Sequence, residues 1–208
     1  MKKPLILVGG GGHCKSVIDV AELAGYTIDG ILDVQENIGK NVVGYPIIGC
    51  DDDIKKFTSS HSFQITVGQI KDNGTRKKLF NRIKSSGGEM ITIVSPKAHV
   101  SNHALLGEGC VIMHHALINA SAKTGDGVIV NSFANIEHDV QIGNFCHIST
   151  GATVNGDCII GDNCFIGSGV AISNGISICH DTFISIGSVV IKNIDEPGFY
   201  YGSPLQKK

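Results

Sequence analysis

From Val94 to Val190 every sixth residue is aliphatic, through Ile112, Ile118, Val130, Ile148 and Ile166 without a slip of phase, and Thr124 is the one departure. Four residues after each stands a small or medium residue, as with Cys110 after Leu106, Ala116 after Ile112 and Val170 after Ile166. The period belongs to neither a helix nor a flat strand. It predicts a parallel β-helix in which each hexad makes a short strand and a corner, the large aliphatic side chain filling the coil and the smaller one the inside of the turn.

The pattern upstream is different. Pro4 to Val8 is apolar, Gly9 to Gly12 and His13 follow, and Val17, Ile18, Ala21 and Leu23 then recur at helical spacing before Gly25. A second apolar run, Thr27 to Leu32, ends on Asp33. Strand, glycine turn, helix and strand with a terminal acid open a Rossmann-like unit, in which glycines let a phosphate approach a helix N-terminus and the acid meets ribose hydroxyls. Cys14 stands where the full dinucleotide fingerprint needs glycine, and the unit is too short for two mononucleotide halves. A mononucleotide or nucleotide-sugar is therefore expected rather than NAD.

Further strands are predicted over Val42 to Ile48, Phe63 to Val67 and Met90 to Val94. Asp51 or Asp52 should cap a brief helix before Phe57, and Arg76 to Lys84 should be helical with Leu79, Phe80 and Ile83 on one face. The domains are accordingly 1–93, an α/β Rossmann-like unit, and 94–208, the β-helix.

Composition narrows the function classes. A net charge of −2 gives no basic footprint for nucleic acid. No apolar run approaches the roughly 20 residues that span a bilayer, and no signal-peptide layout opens the chain, so no membrane partner and a cytoplasmic location are expected. The seven cysteines are odd in number and lack a Cys-x-x-Cys pair, and Cys110, Cys146, Cys158 and Cys164 share the small-residue phase. They are expected to be buried packing residues, with neither a disulfide framework nor a metal site.

Most of the nine histidines have structural readings: His61 on the surface, and His99, His103, His114, His115 and His180 on solvated prism faces. His138 differs, because Glu137 and Asp139 flank it and His147 follows one hexad and a half later. A carboxylate partner fixes the tautomer and raises the basicity of an imidazole, as a general base at neutral pH requires. Neighbours on a flat strand point to opposite faces, so a His138–Asp139 pair needs a corner there.

The segment from Asn131 through Glu137, His138 and Asp139 to His147 resembles the active-site segment of the PglD/NeuD-like sugar acetyltransferases. Gly11-Gly12-His13, Asp33, and Val67-Gly68 followed by Arg76 resemble that family's nucleotide-sugar domain. The resemblance implies a left-handed coil with three hexads per turn, a homotrimer, and acetyl-CoA as co-substrate. It makes His138 the base and Asp139 its orienting partner, and assigns Gly11, Gly12, His13 and Asp33 to the nucleotide-sugar. Asn131 and His147 fall near the acetyl group, and Gly156 would offer an N–H to the oxyanion. Because Lys97 and Lys123 are the only cations between Val94 and Val189, Lys192 and Lys207 are the expected contacts for coenzyme phosphates. Leu205 replaces the small residue of the family's usual Gly-x-Pro-Ala-Lys ending.

The activity expected is N-acetylation of a nucleotide-linked amino sugar, first of all a UDP-4-amino-4,6-dideoxy hexose, by direct transfer. The rivals are O-acetylation of a sialic acid or another glycan precursor, a non-catalytic nucleotide-sugar-binding trimer, and a zinc enzyme of the γ-carbonic-anhydrase type.

Overall fold

The computed structural model describes residues 3–69, 74–203 and 205–207, the last three by their backbone alone. The chain divides into two units, Met1–Ser95 and Pro96–Lys208.

In the first unit β1 (Leu5–Val8), α1 (Gly12–Leu23), β2 (Ile28–Asp33), β3 (Asn41–Val42), β4 (Tyr45–Cys50), α2 (Ile54–Phe57), β5 (Ser62–Ile65), α3 (Gly74–Ser85) and β6 (Glu89–Met90) follow in order. The sheet runs β3-β4-β2-β1-β5-β6. All its pairings are parallel except that of β3 with β4. The continuous apolar run of β1, with all four residues buried, is what a strand covered on both faces requires.

Four expectations need correction. The Met90 to Val94 strand is broken into two short strands, Glu89–Met90 and Ile93–Val94, that belong to different sheets. The Val42 to Ile48 strand is a hairpin, broken where Val43 and Gly44 both take left-handed backbone (φ 49° and 89°), the two-residue turn that matches strand twist. Neither Asp51 nor Asp52 caps the short helix: the Asp53 carboxylate accepts the Cys50 N–H at 2.9 Å. His61 is buried, with Nε2 2.9 Å from an Asp29 carboxylate oxygen and Nδ1 2.8 Å from the Ser60 hydroxyl. Two polar partners compensate the ring for its loss of water.

The second unit is a left-handed parallel β-helix. Its strands are mostly two residues long and pair with a constant offset, as in Ile118 with Ile136, Ile136 with Val154, and Val154 with Ile172. Three hexads thus make one coil. Three faces result, containing Asn135–Ile136, Gln141–Ile142 and His147–Ile148 respectively. Aliphatic and small positions point inward together: Ile148, Ile166, Ile184, Cys146 and Cys164 are all inaccessible to water.

The corners carry a second regularity. Residues at the same corner in successive coils take left-handed backbone: Ser121, Asp139, Asp157 and Gly175 (φ 61° to 68°) along one edge, His115, Phe133, Gly151, Gly169 and Gly187 along another. Such a conformation costs a non-glycine residue about 1–2 kcal/mol, offset here by the stacking it permits. Asx side chains tie the coils together. The Asn144 side-chain carbonyl accepts the Asp126 N–H at 2.9 Å, and the Asp162 carboxylate accepts the Asn144 N–H at 2.7 Å. The inward cysteines donate to corner carbonyls, Cys146 to Gly161 at 3.0 Å and Cys164 to Cys179 at 3.1 Å. A thiol therefore fits where alanine would leave the carbonyl a contact short.

Ile166 is fully buried between Ile148 and Ile184, and a carboxylate there would be buried without a partner, costing at least several kcal/mol. Ile166→Asp is expected to abolish recovery of soluble, cooperatively melting protein; a normal yield and melt would refute the inward register.

Candidate functional site

Two regions carry chemistry, one in each unit. In the first, Gly9 and Gly10 are required by packing: Gly9 has φ 107° and a Cβ there would lie 2.4 Å from Val67 Cγ2, while one on Gly10 would lie 2.8 Å from the Asp33 carboxylate. Gly11 and Gly12 are different, since a Cβ on either would meet nothing within 4 Å. Packing leaves that space open above the N-terminus of α1, where no side chain caps the helix and no acid stands in its first turn. An N-terminus without a side-chain cap and the positive end of the helix dipole favour an anion.

Asp33 ends β2 beside this turn and accepts the Asn37 side-chain N–H at 2.9 Å. His13 lies in the first turn of α1, with Nε2 shielded from water and Gly68 packed against its Cβ (3.3 Å from a Cβ built on Gly68). Burial, assisted by the Arg76 charge, pushes the His13 pKa down to about 4, so the ring is neutral at pH 7. Arg76 is itself buried and donates from Nη1 to the Gln69 side-chain carbonyl at 2.9 Å.

In the β-helix, His138 and Asp139 form a turn at the corner following Asn135–Ile136. The left-handed backbone of Asp139 (φ 62°) is the bend that the pairing needs, and Nδ1 of His138 lies 2.8 Å from Oδ2 of Asp139. That hydrogen bond raises the His138 pKa, with further upward pulls from the charges of Asp139, Asp157 and Glu137. Glu137, the other flanking acid, is turned away. Its two oxygens accept the side-chain amides of Asn119 (2.9 Å) and Asn135 (3.0 Å), which hold its pKa down.

Gly156 comes from the next coil and seats the imidazole: a Cβ there would lie 2.6 Å from Cε1 and 2.7 Å from Nε2 of His138. With Nδ1 held by Asp139, Nε2 is the nitrogen left to exchange a proton. Asn131 and His147 meet each other, Nδ2 to Nε2 at 3.3 Å, and Phe165 packs edge-on against His147 with ring centroids 5.2 Å apart. Asn131 stands at the corner before Asn135–Ile136 and His147 on the strand stacked on Ile129–Val130, which leads into that corner, whereas His138 occupies the corner after Asn135–Ile136. The structure thus gathers His138, Asp139 and Gly156 at one edge of the prism and Asn131 with His147 at another.

Lys192 is exposed, and the Lys207 side chain lies outside the described residues. Among the described residues no helix is long and apolar enough to cross a membrane, and no three His, Cys, Asp or Glu side chains converge as metal ligands. Cys146 is no nucleophile: burial pushes its thiol far up. Sequence reasoning overlooked Ser121, Lys123, Gln141, Asp157 and Ile159, which with Asp139 line a groove beside the dyad. Counting one coil of residues on from Asp139 would have found Asp157.

An α/β unit with an open glycine turn is followed by a β-helix of hexapeptide repeats bearing a corner His–Asp pair. Residues 4–83 match the PglD N-terminal domain, and residues 121–156 and 142–174 match the bacterial transferase hexapeptide of six repeats. The chain thus carries a match to the PglD N-terminal domain followed by matches to the transferase hexapeptide repeats.

Among solved structures it is similar to the acetyltransferase domain of PglB from Neisseria gonorrhoeae FA1090, 27% identical with a TM-score of 0.92 over the whole of both chains. It is also similar to PerB from Caulobacter crescentus, in complex with CoA and GDP-perosamine, 29% identical with a TM-score of 0.92 over 99% of this chain and 97% of that one. A curated relative, the uncharacterized protein L142 of Acanthamoeba polyphaga mimivirus, is 35% identical over 117 residues, 56% of this chain. This chain spans about a fifth (22%) of that protein's length.

His13 gives the first unit a pH signature. Its folded pKa of about 4 lies below the unfolded value of 6.5, so its contribution is complete above pH 6.5 and is lost as pH falls toward 4. The difference corresponds to about 3 kcal/mol. Melting temperatures measured from pH 7 to pH 4 are expected to fall less steeply for His13→Asn than for the wild type; parallel curves would show that the ring titrates freely.

Proposed function

We propose that the protein is an acetyl-CoA-dependent N-acetyltransferase acting on a nucleotide-linked amino sugar, with a 4-amino-4,6-dideoxy hexose as the sugar class. The observation that carries this reading is the His138–Asp139 pair, held at 2.8 Å on a glycine seat with one imidazole nitrogen open. The PglB acetyltransferase domain, also solved with acetyl coenzyme A, and PerB, solved with CoA and GDP-perosamine, support it. UDP is the first expectation for the nucleotide, and the GDP sugar of PerB makes GDP the second to test.

In the proposed reaction the uncharged acceptor amine attacks the thioester carbonyl carbon while its proton passes to Nε2 of His138. Asp139 keeps the ring in the required tautomer and stabilises the imidazolium that forms. The Gly156 N–H stabilises the oxyanion of the tetrahedral intermediate. The C–S bond then breaks, the carbonyl re-forms, and His138 returns its proton to the CoA thiolate, so no acyl-enzyme is needed.

Gly11, Gly12, His13 and Asp33 hold the nucleotide-sugar, with the open helix N-terminus toward its phosphates. Lys192 and Lys207 hold the coenzyme phosphates. The separation of His138 from Asn131 and His147 on different prism edges supports a homotrimer, in which one copy's His138 edge faces the Asn131–His147 edge of the next. A cytoplasmic location follows from dependence on acetyl-CoA and an activated sugar.

Free thiol release from acetyl-CoA, measured with UDP- and GDP-linked 4-amino-4,6-dideoxy hexoses and with sialic acid, tests the activity. Release with sialic acid alone would replace N- by O-acetylation. His138→Ala is expected to lower turnover by about 10²–10⁴-fold with acetyl-CoA affinity unchanged, and wild-type turnover would remove the histidine from the mechanism. Since only the neutral ring accepts a proton and Asp139 raises its pKa, activity should fall as pH drops through that raised value. Asp139→Asn should move this acid limb to lower pH and reduce the plateau; an unmoved limb would assign it to another group.

A further inference from the structure

Ser121, Asp139 and Asp157 stack at one prism edge, and Lys123, Gln141 and Ile159 project outward from the strands that follow them. Between the two columns lies a groove of about 360 Å³, within the size range of small-molecule sites. The two acids in its wall differ in their bonding. Oδ2 of Asp139 is engaged by His138 at 2.8 Å, whereas the Asp157 carboxylate has no hydrogen-bond or ion-pair partner among the described residues.

Turn geometry does not call for an acid at residue 157. Left-handed corners elsewhere in the prism are filled by Asn163 and by glycines such as Gly151 and Gly175. Asp157 adjoins Gly156, the residue seating the imidazole, and donates its N–H to the His138 carbonyl at 3.1 Å. A free carboxylate therefore stands one coil on from the His138–Asp139 pair, in the wall of a cavity that Asp139 also lines. Ile159, about half exposed at 49%, adds an apolar wall suited to a deoxy carbon.

We propose that Asp157 is a specificity-determining residue that binds the ammonium form of the acceptor sugar at this groove and thereby selects amines over hydroxyls. This rests on the acetyltransferase reading above and deepens it. A sugar amine arrives as R–NH₃⁺, and the carboxylate accepts its N–H bonds as charge-assisted hydrogen bonds. One proton leaves to water before attack, the second passes to His138 as the C–N bond forms and the C–S bond breaks, and Asp157 remains ionised throughout. Of the charged groups around His138, Glu137 is held by Asn119 and Asn135, Asp139 by the ring itself, and Lys123 repels a cation. Asp157 is the one left to receive it.

The test uses the full chain with acetyl-CoA, UDP- and GDP-linked 4-amino-4,6-dideoxy hexoses, and their 4-hydroxyl analogues as competitive inhibitors. Asp157→Asn keeps a residue that tolerates left-handed backbone while removing the charge, and Asp157→Gly serves if the first variant is unstable. The expected result is a rise in KM for the amine of about tenfold or more, kcat within threefold, and unchanged inhibition by the hydroxyl analogue. An amine KM within twofold of wild type would overturn the role of Asp157 while leaving the acetyltransferase reading intact. Loss of kcat at constant KM would also overturn it, making Asp157 a residue that positions His138. Absence of turnover by wild-type protein with any amino sugar would overturn the acetyltransferase reading and this assignment together.

Discussion

Stacking of identical coils is the constraint on which the second unit depends. Backbone hydrogen bonds join each short strand to the strand three hexads later, so the inward aliphatic of one coil must lie on that of the next, as Ile148, Ile166 and Ile184 do. A strand of two residues has too little ladder of its own to persist. Its order comes from neighbours above and below, and the core is a column of isoleucines and valines whose burial contributes about 1.5–3 kcal/mol each. The same requirement fixes the corners, where the chain must turn sharply within a few residues and repeatedly enters the left-handed region.

Those corners are where chemistry becomes available. A left-handed residue breaks the alternation of a strand and lets consecutive side chains meet, which is why His138 can bind Asp139. The same bend recurs at His180, whose Nδ1 lies 2.6 Å from Asp181, itself at φ 54°. A His–Asp pair at a corner is thus a product of the repeat and does not by itself make a site. What distinguishes His138 is its surroundings: Gly156 against the ring, and a groove lined by its partner Asp139 and by Asp157 of the next coil.

The first unit relies on a different device. Its glycine turn contains two residues that packing requires, Gly9 and Gly10, followed by two, Gly11 and Gly12, whose missing side chains leave open space at a helix N-terminus. Beneath that opening the buried Arg76 and a neutral His13 lie close enough for the cation to depress the imidazole. The Arg76 charge near a helix N-terminus without a side-chain cap complements an anionic ligand, whereas a charged His13 ring would add repulsion against Arg76.

The prism and the glycine turn could be read from the sequence because both are set by spacing along the chain: the six-residue phase from Val94 to Val190, and four glycines between an apolar run and an amphipathic helix. His138 could be singled out from its acidic neighbours, but which of them it binds could not. That choice depends on Asn119, a full coil away, and on Asn135, whose amides draw Glu137 off and leave Asp139 to the ring. Burial of His61 against Asp29 and the hairpin at Val43-Gly44 were likewise decided only by the tertiary structure. Local spacing specifies the repeat and its periodic core; contacts between coils, and between strands distant in the chain, decide which polar groups find partners and which stay open for a ligand.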